Sequence, residues 1–420
     1  MNALAQKIGN DKEAGHTAYW RLASAYIYLM LADMDHCKEY LQLAAAEKMT
    51  DMEHDVHDVI QALYIVRKDK KITATTEAAL LPSLQWIEKR AKTQKRFAKV
   101  YNDLIDNVMA PAYMNQGDTV KAIFCLARMQ NLEDNKERQN EYELSFGSDA
   151  GTFLDSMTPL KLREVEAFKI SKTHTAYEHW LTVNSQYTID DMHELEGTKY
   201  IRLHDFVTAV NVLKQVPASI LNRTHLPDFL VSHLLDGQDW NRSDSANTYN
   251  KLQFAQKMME LQELLRKNPK DGRSAYQYAN GLYSMSYYGK AYHAFAYYRS
   301  YTDDMGYYAT PERRMLPAFI QEYYGVSEPE KYYVLAFTNS TDKEVQARCL
   351  YMASKCWQKR TAPPADFGGM PYALIGDQFY YYTFKSPYFK QLKQGYNNTK
   401  FYKTAVSTCS YFKDFVKRAH

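Results

Sequence analysis

The sequence predicts an all-α fold, arranged as an irregular α-solenoid of antiparallel helical hairpins. Glycine and proline are scarce, with 16 and 13 among 420 residues, which disfavours a β fold that needs many turns. The chain is long for one compact core, which favours a solenoid or several domains. In addition, a helix–turn–helix pattern with fixed spacing occurs three times along the chain.

The clearest copy of this pattern lies between residues 190 and 217. Gly197 and Tyr200 share one face of its first predicted helix, and Ala209 and Leu213 share one face of the second. A small residue on each helix lets the two backbones approach closely. Pro217 ends the second helix, because proline lacks an N–H group and clashes with the preceding turn.

Two further copies keep the same offsets. Their inward positions are Ala25, Tyr28, Cys37, Leu41 and Ala44 in one copy, and Ala110, Tyr113, Ala122, Leu126 and Met129 in the other. The turns of the three copies are predicted at Ala32-Asp33, Gly117-Asp118 and His204-Asp205. Pro111 departs from the pattern, because it falls inside a first helix and is expected to kink it.

These hairpins resemble the tetratricopeptide repeat (TPR) superfamily, whose unit is a helix–turn–helix of about 34 residues. The resemblance implies a concave groove, lined by the first helix of each hairpin, that binds a protein or peptide partner. In that family the ligand contacts first-helix side chains that face away from the second helix. The corresponding positions here are Tyr26, Asn107, Asn115, Thr198 and Arg202. This set is polar and aromatic with one cation, which suits an extended peptide or a sugar.

Four segments are predicted along the chain. TPR-like hairpins fill residues 1–146 and 147–216, an irregular surface loop follows at 217–250, and tyrosine-rich helical repeats occupy 251–420. A helical hairpin is predicted there, with helices over Arg273–Met285 and Lys290–Tyr301. The stretch Tyr278–Tyr292, which includes its turn, resembles uncharacterised tyrosine-rich helical-repeat proteins of Bacteroidetes. The chain has 36 tyrosines, which either pack between helices or form a stacking surface for a ligand.

Several kinds of site are not predicted. The net charge of +3 is too small to indicate nucleic-acid binding, and no apolar run reaches the length of about 18 residues that a membrane span needs. The five cysteines show no metal-binding spacing and are interpreted as buried core residues. His54 and His57 share a helix face and could hold a metal with a third ligand, but their polar surroundings favour an exposed face. We therefore expect no metal and no cofactor.

The sequence favours a non-catalytic binding or scaffold protein with a protein or peptide partner. One alternative is a glycan-binding protein of the outer membrane, since some sugar-binding lipoproteins of Bacteroidetes use the same repeat scaffold. A second alternative is an α/α-barrel glycoside hydrolase, with its two carboxylates near Asp239-Trp240 and Asp366-Phe367. A cytoplasmic location is expected if the chain is complete, and a periplasmic or outer-membrane-associated one if it is part of a longer exported protein.

Overall fold

The computed structural model describes residues 7, 16–69, 71–129, 149–183, 185, 187–236, 248–299, 316–360 and 385–418. Over these residues the fold is all-α, as predicted, with a single two-residue pairing of strands. The chain divides into two compact units, Met1–Ile189 and Asp190–His420. The boundary between them lies inside the predicted segment 147–216.

The described residues of the first unit are mainly helical. They are α1 (Thr17–Met30), α2 (Met34–Ala45), α3 (Asp51–Lys68), α4 (Ala74–Ala91), α5 (Lys95–Leu104), α6 (Ala110–Asn115), α7 (Thr119–Met129), α8 (Asp149–Ser156), α9 (Pro159–Ile170) and α10 (Ala176–Val183), with a π-helical turn at Ile105–Met109.

The second unit begins with α11 and carries the strand pairing. Its elements are α11 (Ile189–Arg202), α12 (Phe206–Leu213), α13 (Ala218–Leu221), β1 (Leu226–Pro227), β2 (Thr248–Tyr249), α14 (Lys251–Lys267), α15 (Gly272–Ser284), a 3-10 turn (Tyr292–Ala294), α16 (Ala318–Gly325), α17 (Ser327–Asn339), α18 (Lys343–Arg360), α19 (Pro387–Tyr396), α20 (Lys400–Thr408) and α21 (Ser410–Arg418). The antiparallel strands pair Leu226 with Tyr249 and Pro227 with Thr248.

The three predicted turns share one conformation. The fourth residue after each repeat tyrosine has a left-handed backbone, with φ of 58° at Ala32, 86° at Gly117 and 58° at His204. This conformation ends a helix, because it turns the next N–H back to a carbonyl of the last helical turn. Accordingly, the N–H group of the following aspartate bonds the tyrosine carbonyl at 2.9, 2.9 and 3.0 Å in the three copies.

The aspartate of each turn also starts the next helix. Asp33, Asp118 and Asp205 accept a hydrogen bond from the backbone N–H three residues later, at 3.2, 3.1 and 3.0 Å. An aspartate oxygen at this position satisfies an N–H group that has no partner inside the helix. The turn sequence therefore determines both where the first helix ends and where the second begins.

The small inward residues are buried as predicted. Ala25, Cys37 and Ala209 have no exposed surface. At Gly197 the contact is so close that a Cβ atom would lie 2.4 Å from Cγ of Leu213. The absence of a side chain at Gly197 therefore allows the close packing of α11 against Leu213.

Successive hairpins of the first unit pack side by side. α3 contacts both α1 and α2, and it pairs with α4 as the next hairpin. α5 and the π turn contact α4 and α3, respectively, and α6 then pairs with α7. In the second hairpin α3 thus contacts both helices of the first, and in the third hairpin α5 and the π turn each contact one helix of the second.

The distortion expected from Pro111 takes the form of the π turn. Pro111 lacks the N–H group that would bond the carbonyl of Asn107 in a regular helix. The wider turn Ile105–Met109 precedes it, and Pro111 then lies in the first turn of α6, where proline is tolerated.

The helix predicted over Lys290–Tyr301 is wrong in its described part. Residues 285–299 form turns and the short 3-10 turn. The Ala291 N–H group bonds the Ser284 carbonyl at 2.9 Å, so the chain folds back on the end of α15. Gly289 makes this fold possible, because a Cβ atom there would lie 2.0 Å from the Ser284 carbonyl oxygen.

The segment predicted as a surface loop at 217–250 is partly buried. Its described residues include α13 and both strands, and the rest of them are irregular. Leu226 and Phe229 have no exposed surface, and Phe229 packs against Phe254 with ring centroids 4.5 Å apart. The predicted surface position is therefore wrong for these residues, because two apolar side chains anchor the segment in the core.

Candidate functional site

Three of the five predicted ligand-contacting residues lie on the surface of the first unit. Tyr26 on α1 is 49% exposed, and Asn107 and Asn115 are exposed on the π turn and α6. Tyr19 and Met30 share the helix face of Tyr26, at spacings of seven and four residues, and both are exposed. The outer face of α1 therefore presents two tyrosines and a methionine.

The other two predicted residues are buried in the second unit, which corrects the expectation that they line an open groove. Thr198 has no exposed surface, and Arg202 is 6% exposed. The Arg202 Nε atom donates to the Phe295 carbonyl at 2.7 Å, and its guanidinium carbon lies 5.3 Å from the centre of the Phe295 ring. A ligand on the surface would not contact these side chains, because the chain around Phe295 covers them.

Thr198 belongs to a buried polar network. Lys251, at the start of α14, lies with its Nζ atom 2.6 Å from Glu194 Oε1 and donates to the Thr198 hydroxyl at 2.9 Å. The Tyr297 hydroxyl donates to Glu194, and Lys251 Nζ lies 3.9 Å from the centre of the Tyr297 ring. Burial, followed by the Glu194 charge, raises the pKa of Tyr297 well above its ordinary value. The network neutralises a buried charge and joins α11, α14 and the segment around residue 297.

A segment of the second unit with neither helix nor strand is hydrogen-bonded to two helices. We call residues 230–236 the strap. Four described backbone or hydroxyl groups of the strap are held by side chains of α15 and α18. The bonds are Asn280 Nδ2 to the Leu230 carbonyl at 2.7 Å, Tyr276 with the Ser232 hydroxyl at 2.7 Å, Lys355 Nζ to the His233 and Leu234 carbonyls at 3.3 and 3.1 Å, and the Tyr351 hydroxyl to the Leu234 carbonyl at 3.0 Å.

The strap ends at a carboxylate held by three donors. Asp236 accepts from the Tyr283 hydroxyl at 2.7 Å, and its two oxygens lie 2.6 and 2.9 Å from the Nζ atoms of Lys355 and Lys359. Burial by itself would raise the pKa of Asp236, but the two ammonium groups outweigh it and hold that pKa well below the ordinary value. Asp236 is therefore ionised at neutral pH.

The six residues that hold the strap form one surface, which we call the clamp. Tyr276, Asn280 and Tyr283 follow each other at spacings of four and three residues on α15, and Tyr351, Lys355 and Lys359 at spacings of four on α18. Side chains at such spacings share one helix face. The clamp is therefore made of one polar face from each of two helices.

The histidine pair of α3 is part of a hydrogen-bonded cluster. His54 Nδ1 lies 2.9 Å from Asp58 Oδ2, and the Ser83 hydroxyl donates to the other oxygen of Asp58 at 2.9 Å. The serine thus bonds the carboxylate instead of the histidine, which is not the nucleophile–base arrangement of a hydrolase. Among the described residues, no group of three side chains could hold a metal ion.

The five cysteines are free and buried, as predicted. Burial raises the pKa of Cys37 to about 11 and the pKa of Cys125 and Cys349 to about 12, with the Asp33 charge adding to the effect at Cys37. Such thiols stay protonated at neutral pH, and the thiolate is the reactive form. These three cysteines are therefore not suited to be nucleophiles.

Many tyrosines pack between helices. Fully buried examples in the described part of the chain are Tyr28, Tyr101, Tyr113, Tyr177, Tyr287, Tyr333 and Tyr351. Tyr351 also donates to the strap, as does Tyr283. At the clamp the tyrosines thus both pack between helices and donate hydrogen bonds to the strap. The carboxylate positions considered for a glycosidase, Asp239-Trp240 and Asp366-Phe367, lie outside the described residues.

None of the described helices combines the length and the apolar character needed to cross a membrane. The chain matches no protein-family model, no curated protein and no solved structure.

Proposed function

We propose that this chain is a non-catalytic helical-repeat protein of the TPR-like type, which binds an extended peptide of a partner protein. The binding surface is the outer face of the first helices in the first unit. The observation that carries this proposal is the exposed row Tyr19, Tyr26 and Met30 on α1. Aromatic and methionine side chains are enriched where proteins bind each other.

Two features of the first unit support a repeat arrangement. Its first and third hairpins share the left-handed turn residue and the aspartate cap with the hairpin of α11 and α12. In addition, α3 contacts both helices of the first hairpin, and α5 and the π turn contact α4 and α3, which is the packing that a solenoid needs.

The polar residues of this surface suit a peptide backbone. Asn107 and Asn115 each carry an amide with both donors and an acceptor, which can pair with backbone N–H and carbonyl groups. Because Arg202 is buried, the exposed set holds no cation. We therefore expect affinity to change little with salt, since no charge pair is screened.

The test is selection of peptides from a random display library on the immobilised protein, followed by fluorescence polarisation. We expect the triple variant Tyr26→Ala/Asn107→Ala/Asn115→Ala to bind the selected peptides at least about tenfold more weakly than the wild type, because three contacts are lost. A matched control, Lys38→Ala/Glu39→Ala/Gln42→Ala, changes exposed residues of α2 and should bind like the wild type. Equal affinity of the two triple variants would overturn the proposal.

A further inference from the structure

The strap is held mainly through its backbone and its terminal carboxylate. Four of its bonds go to carbonyl groups of Leu230, His233 and Leu234, and three donors meet Asp236. Backbone carbonyls are present in every peptide, so this part of the contact does not depend on sequence. The contact that requires a particular side chain is the one between the clamp and the Asp236 carboxylate.

The apolar side chains of the strap contribute less than its composition suggests. Val231 and Leu235 are 46% and 38% exposed, while Leu230 and Leu234 are partly buried against the core. A loop held by its own hydrophobic burial would place such residues inward. Within the strap, the contacts to the clamp are hydrogen bonds and ion pairs, while the preceding Phe229 is anchored in the core.

The clamp is also strongly matched in charge to its occupant. The side chains of Lys355 and Lys359 are 8% and 20% exposed, and both meet Asp236. Lys359 Nζ lies 4.0 Å from the centre of the Tyr288 ring, which fixes its position. Two largely buried ammonium groups need a carboxylate opposite them, whether it comes from the strap or from another chain.

We propose that the clamp is a binding site for an extended segment of a second polypeptide, which carries a carboxylate six residues after its first bound carbonyl. The strap occupies this site as an internal ligand and is displaced by that segment. The site lies in the second unit and does not depend on the surface that includes Tyr26.

The test uses a fluorescent peptide with the sequence of residues 228–236, DFLVSHLLD, and the full-length protein. In Asp236→Ala the strap loses its carboxylate contacts, so the site is open for a larger fraction of the time and the apparent affinity for the peptide rises. We expect the peptide to bind this variant at least about tenfold more tightly than it binds the wild type. Asp236→Asn, which keeps the side-chain shape, should show the same gain, and circular dichroism reports whether each variant is folded.

Three controls separate this site from non-specific binding. A peptide with alanine in place of the last aspartate should not bind Asp236→Ala, and adding Lys355→Ala/Lys359→Ala to that variant should abolish binding of the aspartate peptide. Adding Lys403→Ala, an exposed lysine of α20, should leave binding unchanged. No gain in affinity for either Asp236 variant, or equal binding of the two peptides, would overturn the inference.

Discussion

Two hairpins of this protein have the same turn and the same inward packing, but the outer face of one is exposed and that of the other is buried. The hairpin of α1 and α2 and the hairpin of α11 and α12 share the left-handed turn residue, the aspartate cap and the buried small residues. The position two residues before the inward tyrosine differs between them. It is the half-exposed Tyr26 in the hairpin of α1 and α2, and the buried Thr198 in the hairpin of α11 and α12. The difference arises from Lys251 and Tyr297, which contact Thr198 from 53 and 99 residues along the chain.

In these two hairpins, the features of the turn and the exposure of the outer face have different causes. The turn and the inward face depend on residues within one hairpin, so they recur wherever the spacing recurs. The exposure of the outer face depends on segments distant in sequence, which differ from one hairpin to the next. Residues at corresponding positions of two such hairpins therefore need not have the same exposure or the same function.

The largest expected effect comes from opening the covered outer face. Lys251→Ala removes the partner of the buried Glu194 carboxylate and leaves that charge uncompensated. Breaking a buried ion pair in this way costs about 3–5 kcal/mol of unfolding free energy. Urea denaturation followed by circular dichroism measures the change.

The matched control for this substitution is Lys257→Ala on the same helix. Its ion pair with Glu260 is exposed, so the expected cost is about 0–1 kcal/mol. If both lysine substitutions cost the same, the covered face does not stabilise the second unit as described.

A smaller effect on the free energy of unfolding is expected in the hairpin of α11 and α12. Gly197→Ala places a Cβ atom against the buried Leu213 side chain and should cost about 1–3 kcal/mol through overpacking. Gly395→Ala on α19 is the control, because no atom beyond its own helical turn lies within 4 Å of the place that its Cβ atom would occupy. There we expect a gain of about 0.5–1 kcal/mol, since alanine favours a helix more than glycine does. Thermal unfolding that shifts the same way in both variants would contradict the close helix contact.

The smallest effect concerns the shared turn. Gly117→Ala should lower the free energy of unfolding by about 1 kcal/mol, because φ is 86° there and a side chain disfavours that conformation. Ala32→Gly should raise the free energy of unfolding by up to about 1 kcal/mol, because φ is 58° there and glycine adopts this conformation without the clash of a Cβ atom. Differential scanning calorimetry measures both, and changes of the same sign would show that the turns are not equivalent.

The parts of the fold that sequence reasoning predicted are those with a local cause. The three turns follow from spacing and from the aspartates, and the burial of Cys37 and Ala209 follows from their place on the inward face. Each of these features is decided by residues within a few positions of each other.

The parts that were missed have causes elsewhere in the chain. Residues 290–299 have helix-like spacing, but Gly289 packs against the Ser284 backbone and turns the chain back. The pairing of Asp236 with Lys359 spans 123 residues, and one sequence cannot indicate it. The row of Tyr351, Lys355 and Lys359 on one helix face was a usable signal that this face is polar, although not that it is buried or what it contacts.

The most direct test of the contrast between the two outer faces is thiol labelling under native conditions. All five natural cysteines are buried, so Tyr26→Cys and Thr198→Cys each introduce the reactive thiol to be followed. We predict that the thiol at position 26 reacts within about tenfold of its rate in the unfolded protein. The thiol at position 198 should react at least about a hundredfold more slowly, because it is reached only when the surrounding structure opens. Equally fast labelling at both positions would contradict the conclusion that residues around 251 and 297 cover the outer face of the hairpin of α11 and α12.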